Sequence, residues 1–227
     1  MAHRVMTSMT RVSPSLGWVA IIDDDAAVRR SLDKLLRHEG YQTLVYESTE
    51  RFLADALGSD TVDVVLSDMR MPGRSGVDLQ GQLQVRGSLA SIVFISGDSR
   101  PDEIIQAMKN GAVDFLLKPF DGPSLLRAVA HAVEVRQQRL AQQERSRQAE
   151  ELLQRLTPRE REICHWMLMG YSNQQISRFD GAASATIKLH RARVMEKMGV
   201  NSLAELMALL PPAQRDALIK DSENTAG

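Results

Sequence analysis

Cysteine is nearly absent: among 227 residues, Cys164 stands alone. A lone thiol forms no internal disulfide and completes no CxxC metal pattern. It sits in an apolar run, where a buried structural thiol is the plainest reading. Long apolar runs are missing too. No stretch approaches the roughly 20 residues that span a bilayer. The N-terminus carries Arg4 and Arg11 but no continuous apolar segment of signal-peptide type. The expectation is a soluble cytoplasmic protein with no membrane partner. Aromatic residues make up 4%, which suits an α/β or helical chain. Charge of one sign is not in excess, since 28 Lys+Arg face 29 Asp+Glu for a net -1.

The distribution of charge says more than its total. Residues 17–133 hold 17 acidic and 12 basic side chains (12 − 17 = −5), whereas residues 157–200 hold 4 acidic and 7 basic (7 − 4 = +3). An acidic half joined to a basic patch points to a polyanion partner for the second half. The chain is long enough for two small domains, each with its own core.

Residues 1–16 read as a flexible leader. Five short apolar runs then alternate with helical patterns. The strands are expected at Trp18–Ile22, Gln42–Tyr46, Val62–Ser67, Ser91–Ile95 and Val113–Leu117. Between them, helices are expected at Ala26–His38, Thr49–Leu57, Val77–Val85 and Pro101–Asn110, with Pro123 opening a last one. Buried strands alternating with helices predict a parallel sheet covered on both faces. In such sheets the ligand site lies at the carboxyl ends of the strands. Four strands end there in a reactive group: Asp23 with Asp24, Asp68, Ser96 and Lys118.

These groups fit phosphoryl chemistry. A carboxylate can attack phosphorus and become an acyl phosphate. The charge on the phosphoryl oxygens must be neutralised, and Mg²⁺ held by carboxylates does this. Asp23 and Asp24 supply such carboxylates, the backbone carbonyl of Arg70 is a further oxygen, Lys118 offers a cation and Ser96 a hydroxyl donor. A rival reading takes Asp23-Asp24-Asp25 as the strand-end motif of an aspartate-nucleophile phosphatase of the haloacid dehalogenase type, with Asp23 attacking. Ala27 stands where that motif has Thr, and the segment Asp68–Gly76 would have no role.

Residues 134–151 are rich in Gln, Arg and Glu and read as a helical linker. Beyond them the pattern is helical throughout. Thr157-Pro158-Arg159-Glu160 is a helix start, with Thr157 as N-cap and Glu160 completing a capping box. A short helix near Asn173–Phe179, a turn at Asp180-Gly181 and a basic helix near Ser184–Met198 describe a helix-turn-helix. Ser202 caps a final helix that ends before Pro211-Pro212, and residues 213–227 read as a polar tail.

The string Asp23-Asp24, Asp68-x-x-Met71-Pro72-x-x-x-Gly76, Ser96-Gly97 and Lys118-Pro119-Phe120 resembles the receiver domain of two-component response regulators. The resemblance covers about residues 17–133. It implies an α/β, flavodoxin-like fold: a five-stranded parallel sheet in the order 2-1-3-4-5. It implies that Asp68 is the phospho-acceptor and that Asp23, Asp24 and Asp68 hold Mg²⁺ with the Arg70 carbonyl. Ser96 and Lys118 would bind the phosphoryl group, and Phe115 would be the switch aromatic. The Lys118–Pro119 peptide would be cis. The cognate partner would be a histidine kinase, and the chain itself a regulator and not an enzyme.

Leu156-Thr157-Pro158-Arg159-Glu160-Arg161-Glu162, Gly170, Asn173, Ile176, Thr186, His190 and Lys197-Met198 resemble the LuxR-type helix-turn-helix of NarL/FixJ regulators, over about residues 152–212. This implies double-stranded promoter DNA as partner, with Asn173, Thr186, Lys188, Leu189, Arg191, Ala192 and Arg193 as contacts and His190 as a structural residue. Phosphorylation would either drive homodimerisation or release the DNA-binding domain. The turn departs from the family pattern. Asp180 replaces a buried Leu, Ala182 an Ile, Ala183 a Ser cap, and Gln174 a common Lys. The expectation is that Phe179 turns inward to cover for Asp180 and that Ser184 serves as the cap. An interaction protein that has lost DNA binding is the alternative from another class.

Overall fold

The computed structural model describes residues 15–55, 61–97, 100–212, 214–216 and 218. The chain divides into two compact units between Arg139 and Leu140. The leader, up to residue 14, lies outside the described residues, as do residues 219–227.

In the first unit, β1 (Trp18–Ile22), β2 (Gln42–Tyr46), β3 (Val64–Asp68), β4 (Ser91–Ser96) and β5 (Asp114–Leu117) form one sheet in the order β2-β1-β3-β4-β5. Every pairing is parallel. The helices are α1 (Ala26–His38), α2 (Thr49–Ala54), α3 (Gly76–Val85), α4 (Pro101–Lys109) and α5 (Gly122–Gln154). Alternate residues of each strand serve opposite faces. Val19, Ile21, Leu66 and Val93 pack with Leu32 and Leu36 of α1 and Leu125 and Val129 of α5. Ala20, Ile22, Val65 and Phe94 pack with Phe52 of α2 and Leu79 and Leu83 of α3. Both faces are covered, which is why the strands read as unbroken apolar runs. Each fully buried Ile, Leu or Phe contributes roughly 1.5–3 kcal/mol.

Element ends moved by a residue or two. β3 begins at Val64 because Asp63 turns its carboxylate back to accept from the Trp18 backbone N–H at 2.8 Å. α2 ends at Ala54, and the part of its expected span from residue 56 lies outside the described residues.

The helix α5 runs unbroken through the span read as a linker. Ala132 and Val133 belong to the first core, and Ala149 and Leu153 to the second. The second unit therefore uses residues of α5 that were assigned to the linker. It continues with α6 (Pro158–Leu168), α7 (Asn173–Asp180), α8 (Ser184–Met198) and α9 (Leu203–Leu209) around Ile163, Met167, Ile176, Ile187, Val194 and Leu206. The polar-tail reading needs correction. Residues 214–216 and 218 are helical. Leu218 is buried in this core, and the Gln214 amide donates to the Ser146 carbonyl.

Thr157 caps α6 with the full capping box to Glu160. Glu160 also accepts from Lys197 Nζ of α8 at 2.5 Å. The Lys197 and Thr157 donors hold the Glu160 carboxyl down from 4.5 to about 2. A depressed folded-state pKa gives stability that is complete above 4.5 and lost as pH falls toward 2. We expect the stability gap between the wild-type chain and Glu160→Gln to narrow over that window, in melts followed at Trp166 with Trp18→Phe. A gap independent of pH would contradict this role for Glu160.

Candidate functional site

The strand order sets β1 beside β3, so the residues that leave their carboxyl ends meet. Asp23 follows β1, and Asp68 and Ser96 are the last residues of β3 and β4. All three are buried. Lys118, just past β5, reaches back with its Nζ 2.7 Å from Asp68 Oδ2 and 2.9 Å from Asp23 Oδ2. The Asp25 backbone N–H donates to Asp23 Oδ1 at 2.8 Å, and the Arg70 backbone N–H to Asp68 Oδ1 at 2.9 Å. Asp24 is exposed at the rim. Phe115 is half-buried against the α2–α3 side of the core, and the Lys118–Pro119 peptide is cis.

The electrostatics follow from this crowding. Burial pushes the Asp23 carboxyl up, against the opposing hydrogen bonds from Lys118 and Asp25. Burial also works against the Lys118 ammonium, but its hydrogen bonds to Asp68 and Asp23 outweigh it and raise its pKa. Three carboxylates with one ammonium carry a formal charge of about −2 when ionised. One oxygen from each of Asp23, Asp24 and Asp68 lies within 4.8 Å of the others. Hard oxygen donors at that spacing suit a small divalent cation such as Mg²⁺. The donor set therefore fits the metal that the sequence motif implies.

Some supporting residues escaped the sequence reading. Thr49, fully buried, donates to the Arg74 carbonyl at 3.2 Å, and Glu50 accepts from the Arg74 N–H at 3.2 Å. Together they tie the loop after Asp68 to α2. The Arg29 guanidinium donates to the Asp23 carbonyl at 2.6 Å. The contacts to Arg74 join segments 24 and 25 residues apart, so no local pattern announces them. Gly76 was legible. A Cβ there would meet the Asp68 carbonyl at 2.5 Å and Phe94 Cε1 at 2.8 Å. Gly76→Ala should cost ~1–3 kcal/mol through overpacking and displace the Asp68 loop. An unchanged denaturation midpoint would show that the loop relaxes freely.

In the second unit, Thr186, Lys188, Leu189, Ala192 and Arg193 are exposed on α8, and Asn173 is half-buried at the start of α7. Arg191 departs from the expectation of a freely exposed contact. It is half-buried and donates to the Tyr171 carbonyl at 2.9 Å, and burial lowers its pKa. His190 is half-buried within α8. Cys164 is buried, and burial pushes its thiol up to about 12, so it stays protonated.

Two expectations about the turn are overturned. Phe179 does not turn inward; it is 65% exposed and meets Tyr171 edge-on at 5.4 Å. The Asp180 side chain is itself only 7% exposed and is hydrogen-bonded to Arg159 of α6. The ion pair takes the place of apolar packing. Ser184 is not the cap either. Ala183 holds the N-cap position and makes no side-chain bond. Instead the Ser177 hydroxyl donates to the Ala182 carbonyl at 2.6 Å, and Gly181 adopts the left-handed φ of 74° that closes α7. Asp180→Ala should cost ~1–3 kcal/mol, the range for a lost charged hydrogen bond. Asp180→Leu should cost less, measured by denaturant unfolding of the second unit. Equal losses would mean that apolar packing cannot replace what the pair holds.

The sheet order, the strand-end carboxylates and the helix-turn-helix define a receiver unit followed by a DNA-binding unit. Comparison with known proteins gives the same class. Residues 19–130 match the model of the response regulator receiver domain. Residues 154–210 match that of bacterial regulatory proteins of the luxR family. The transcriptional regulatory protein FixJ of Bradyrhizobium diazoefficiens is 35% identical over 205 residues, covering 90% of this chain and 98% of that protein. The tetrathionate response regulatory protein TtrR of Salmonella typhimurium is 37% identical over 189 residues, covering 83% and 89%. Among solved structures, the response regulator StyR matches with a TM-score of 0.69 at 36% identity, covering 85% of this chain and 96% of that one. Full-length FixJ from B. japonicum matches at 0.54 and 34%, covering 90% and 98%. The chain belongs to the two-component response regulators of the NarL/FixJ type, with a receiver domain and a LuxR-type DNA-binding domain. The phosphatase reading of Asp23 falls with this assignment. Among the described residues no helix is long and apolar enough to cross a membrane.

Proposed function

We propose that Asp68 accepts a phosphoryl group from a partner histidine kinase and that its occupancy governs promoter binding. The observation that carries this is the convergence of Asp23, Asp24 and the Lys118 ammonium on the Asp68 carboxylate. An Asp68 oxygen attacks the phosphorus of a phosphohistidine, the P–N bond breaks, and the acyl phosphate forms as histidine leaves. Mg²⁺, held by Asp23, Asp24, Asp68 and the Arg70 carbonyl, would neutralise charge on the phosphoryl oxygens. Lys118 exchanges its bond to Asp68 for one to the phosphoryl group, and the Ser96 hydroxyl donates to another oxygen. Phe115 then turns inward. The chain acts only on its own Asp68, as a regulator in the cytoplasm.

The readout is the face of α4 and β5. Ile105, Met108 and Leu117 are exposed there, which supports homodimerisation of the phosphorylated form. A dimer pairs two α8 helices on half-sites about one DNA turn apart. Thr186, Lys188, Leu189, Ala192 and Arg193 line that contact, with Asn173 and Arg191 at its edge. We take the domains as 17–133, a helical link 134–151, and 152–212, the last extended by the packing of Ala149 and Leu218.

Asp68→Asn should abolish labelling by acetyl phosphate with Mg²⁺. Undiminished labelling would remove Asp68 as acceptor and point back to Asp23. Selection of genomic fragments by the phosphorylated chain should enrich a discrete set, and Lys188→Ala should weaken that enrichment. No enrichment at any salt concentration would favour the interaction-protein reading.

A further inference from the structure

The loop between β3 and α3 is tied at its tip as well as at its base. At the base the Gly76 N–H donates to the Met69 carbonyl at 3.1 Å, and the Met69 N–H donates to the Ile95 carbonyl at 3.0 Å. In the middle Met71 belongs to the core cluster that also holds Phe52 and Leu53 of α2. Beyond it Pro72 has no N–H to give. Gly73 takes a left-handed φ of 87°, and a Cβ there would lie 3.2 Å from Glu50 Oε1. At the tip both backbone groups of Arg74 are bonded to α2. Its N–H donates to Glu50 Oε1 at 3.2 Å, and its carbonyl accepts from the Thr49 hydroxyl at 3.2 Å. Thr49 is fully buried, and its hydroxyl has one proton to share between that carbonyl and Glu50 Oε2 at 3.3 Å. A buried hydroxyl is costly unless it is bonded, so the tie to Arg74 is one the fold must keep.

We propose that Thr49 and Glu50 are positioning residues for the cation site: by holding Arg74 they fix the loop that presents the Arg70 carbonyl. The inference rests on the reading of Asp23, Asp24, Asp68 and that carbonyl as a Mg²⁺ site. Neither Thr49 nor Glu50 belongs to the cluster of Asp23, Asp24 and Asp68, so both act through the loop. The anchor at Met71 is apolar, and apolar packing is non-directional. It sets the depth of the loop but not the rotation of the peptide between Arg70 and Met71. Hydrogen bonds are directional, and they stand on either side of that peptide. The Arg70 N–H donates to Asp68 Oδ1 on one side, and Arg74 is held by Thr49 and Glu50 on the other. Mg²⁺ demands near-ideal octahedral geometry, whereas Ca²⁺ accepts irregular sets of oxygens. A carbonyl left free to rotate therefore harms Mg²⁺ binding more than Ca²⁺ binding.

The test is calorimetric titration of the full chain with Mg²⁺ and, separately, with Ca²⁺, with the ¹⁵N shift of the Met71 amide as a local probe. That nitrogen shares a peptide group with the Arg70 carbonyl, so its shift reports a cation on that oxygen. Thr49→Val removes the hydroxyl at nearly constant shape and charge. It should weaken Mg²⁺ binding about 3- to 10-fold, less than the about 10- to 100-fold typical of a group bonded directly to a ligand. It should weaken Ca²⁺ binding less and shrink the Met71 shift at saturation. Thr49→Ser keeps the donor and should bind as the wild type does. Glu50→Ala, at an exposed position, should follow Thr49→Val and carries the test if Thr49→Val fails to fold. Its lost charge acts on both cations alike, so the ratio of Mg²⁺ to Ca²⁺ affinity is the quantity to read. Equal losses for the two cations reduce the tie to general stability and overturn the proposal. A loss in Thr49→Ser as large as in Thr49→Val overturns it too, since the donor is then immaterial. Asp68→Asn is the control for the site itself. Mg²⁺ binding that survives it undiminished removes Asp68 from the site, and the positioning role with it. Binding lost in Asp68→Asn but unchanged in Thr49→Val and Glu50→Ala overturns the positioning role alone.

Discussion

The Lys118 ammonium between Asp23 and Asp68 is the contact on which the first unit turns. Two carboxylates at the ends of adjacent strands cannot both sit buried and charged without a cation. Lys118 supplies that charge from the end of β5, across β4, with bonds of 2.9 and 2.7 Å. The sheet must therefore be parallel through β1, β3, β4 and β5, with all carboxyl ends on one edge, as it is. The neighbouring features follow from keeping that edge in order. Gly76 lets the α3 start approach the Asp68 carbonyl. Thr49 and Glu50 hold the intervening loop from the other side. Lys118 is also the group that must let go for the proposed chemistry, so the same bond stabilises the resting arrangement and marks where it yields.

The second unit meets a different constraint. Its helix α8 must be held in place by short elements around one apolar cluster. Two polar links across the fold do part of that work. Glu160 joins the α6 cap to Lys197 near the end of α8. Arg159, beside it in sequence, joins α6 to Asp180 at the end of α7. The Arg159 pKa is raised chiefly by its bond to Asp180, with burial opposing and Glu162 assisting. A chain that lacks a side-chain cap at Ala183 thus keeps its turn in place through partners outside the turn. Thr186, Lys188, Leu189, Ala192 and Arg193 of α8 stay exposed, while Arg191 gives one donor to the scaffold.

Much of this was legible residue by residue. The strand spans were readable because both faces of the sheet are covered, so Trp18–Ile22 and Ser91–Ser96 are continuous apolar runs. The starts of α6 and α9 carry caps at Thr157 and Ser202 whose partners lie three residues away. Local chemistry of that kind is written in the order of residues. Asp180 shows the other case. As a single residue it looked like a defect in a leucine position, and its neighbour Phe179 looked like the remedy. The remedy is Arg159, 21 residues earlier. Leu218 was likewise lost in a polar segment, because one buried contact leaves no periodic signal.

By itself the sequence determined the alternation of strand and helix, the identity of the strand-end acids and hydroxyl, the caps at Thr157 and Ser202, and the glycine that a close approach requires. Each of these depends on a residue and its near neighbours, through φ/ψ preference, side-chain alternation or a short hydrogen bond. Only the tertiary structure decided which distant charges meet. Lys118 reaches acids 95 and 50 residues away, Arg159 finds Asp180, and Arg70 finds Glu103 33 residues on. A charge has no preferred sequence separation. Its partner is whichever opposite charge the packed backbone brings within about 3 Å, and desolvation makes that choice count.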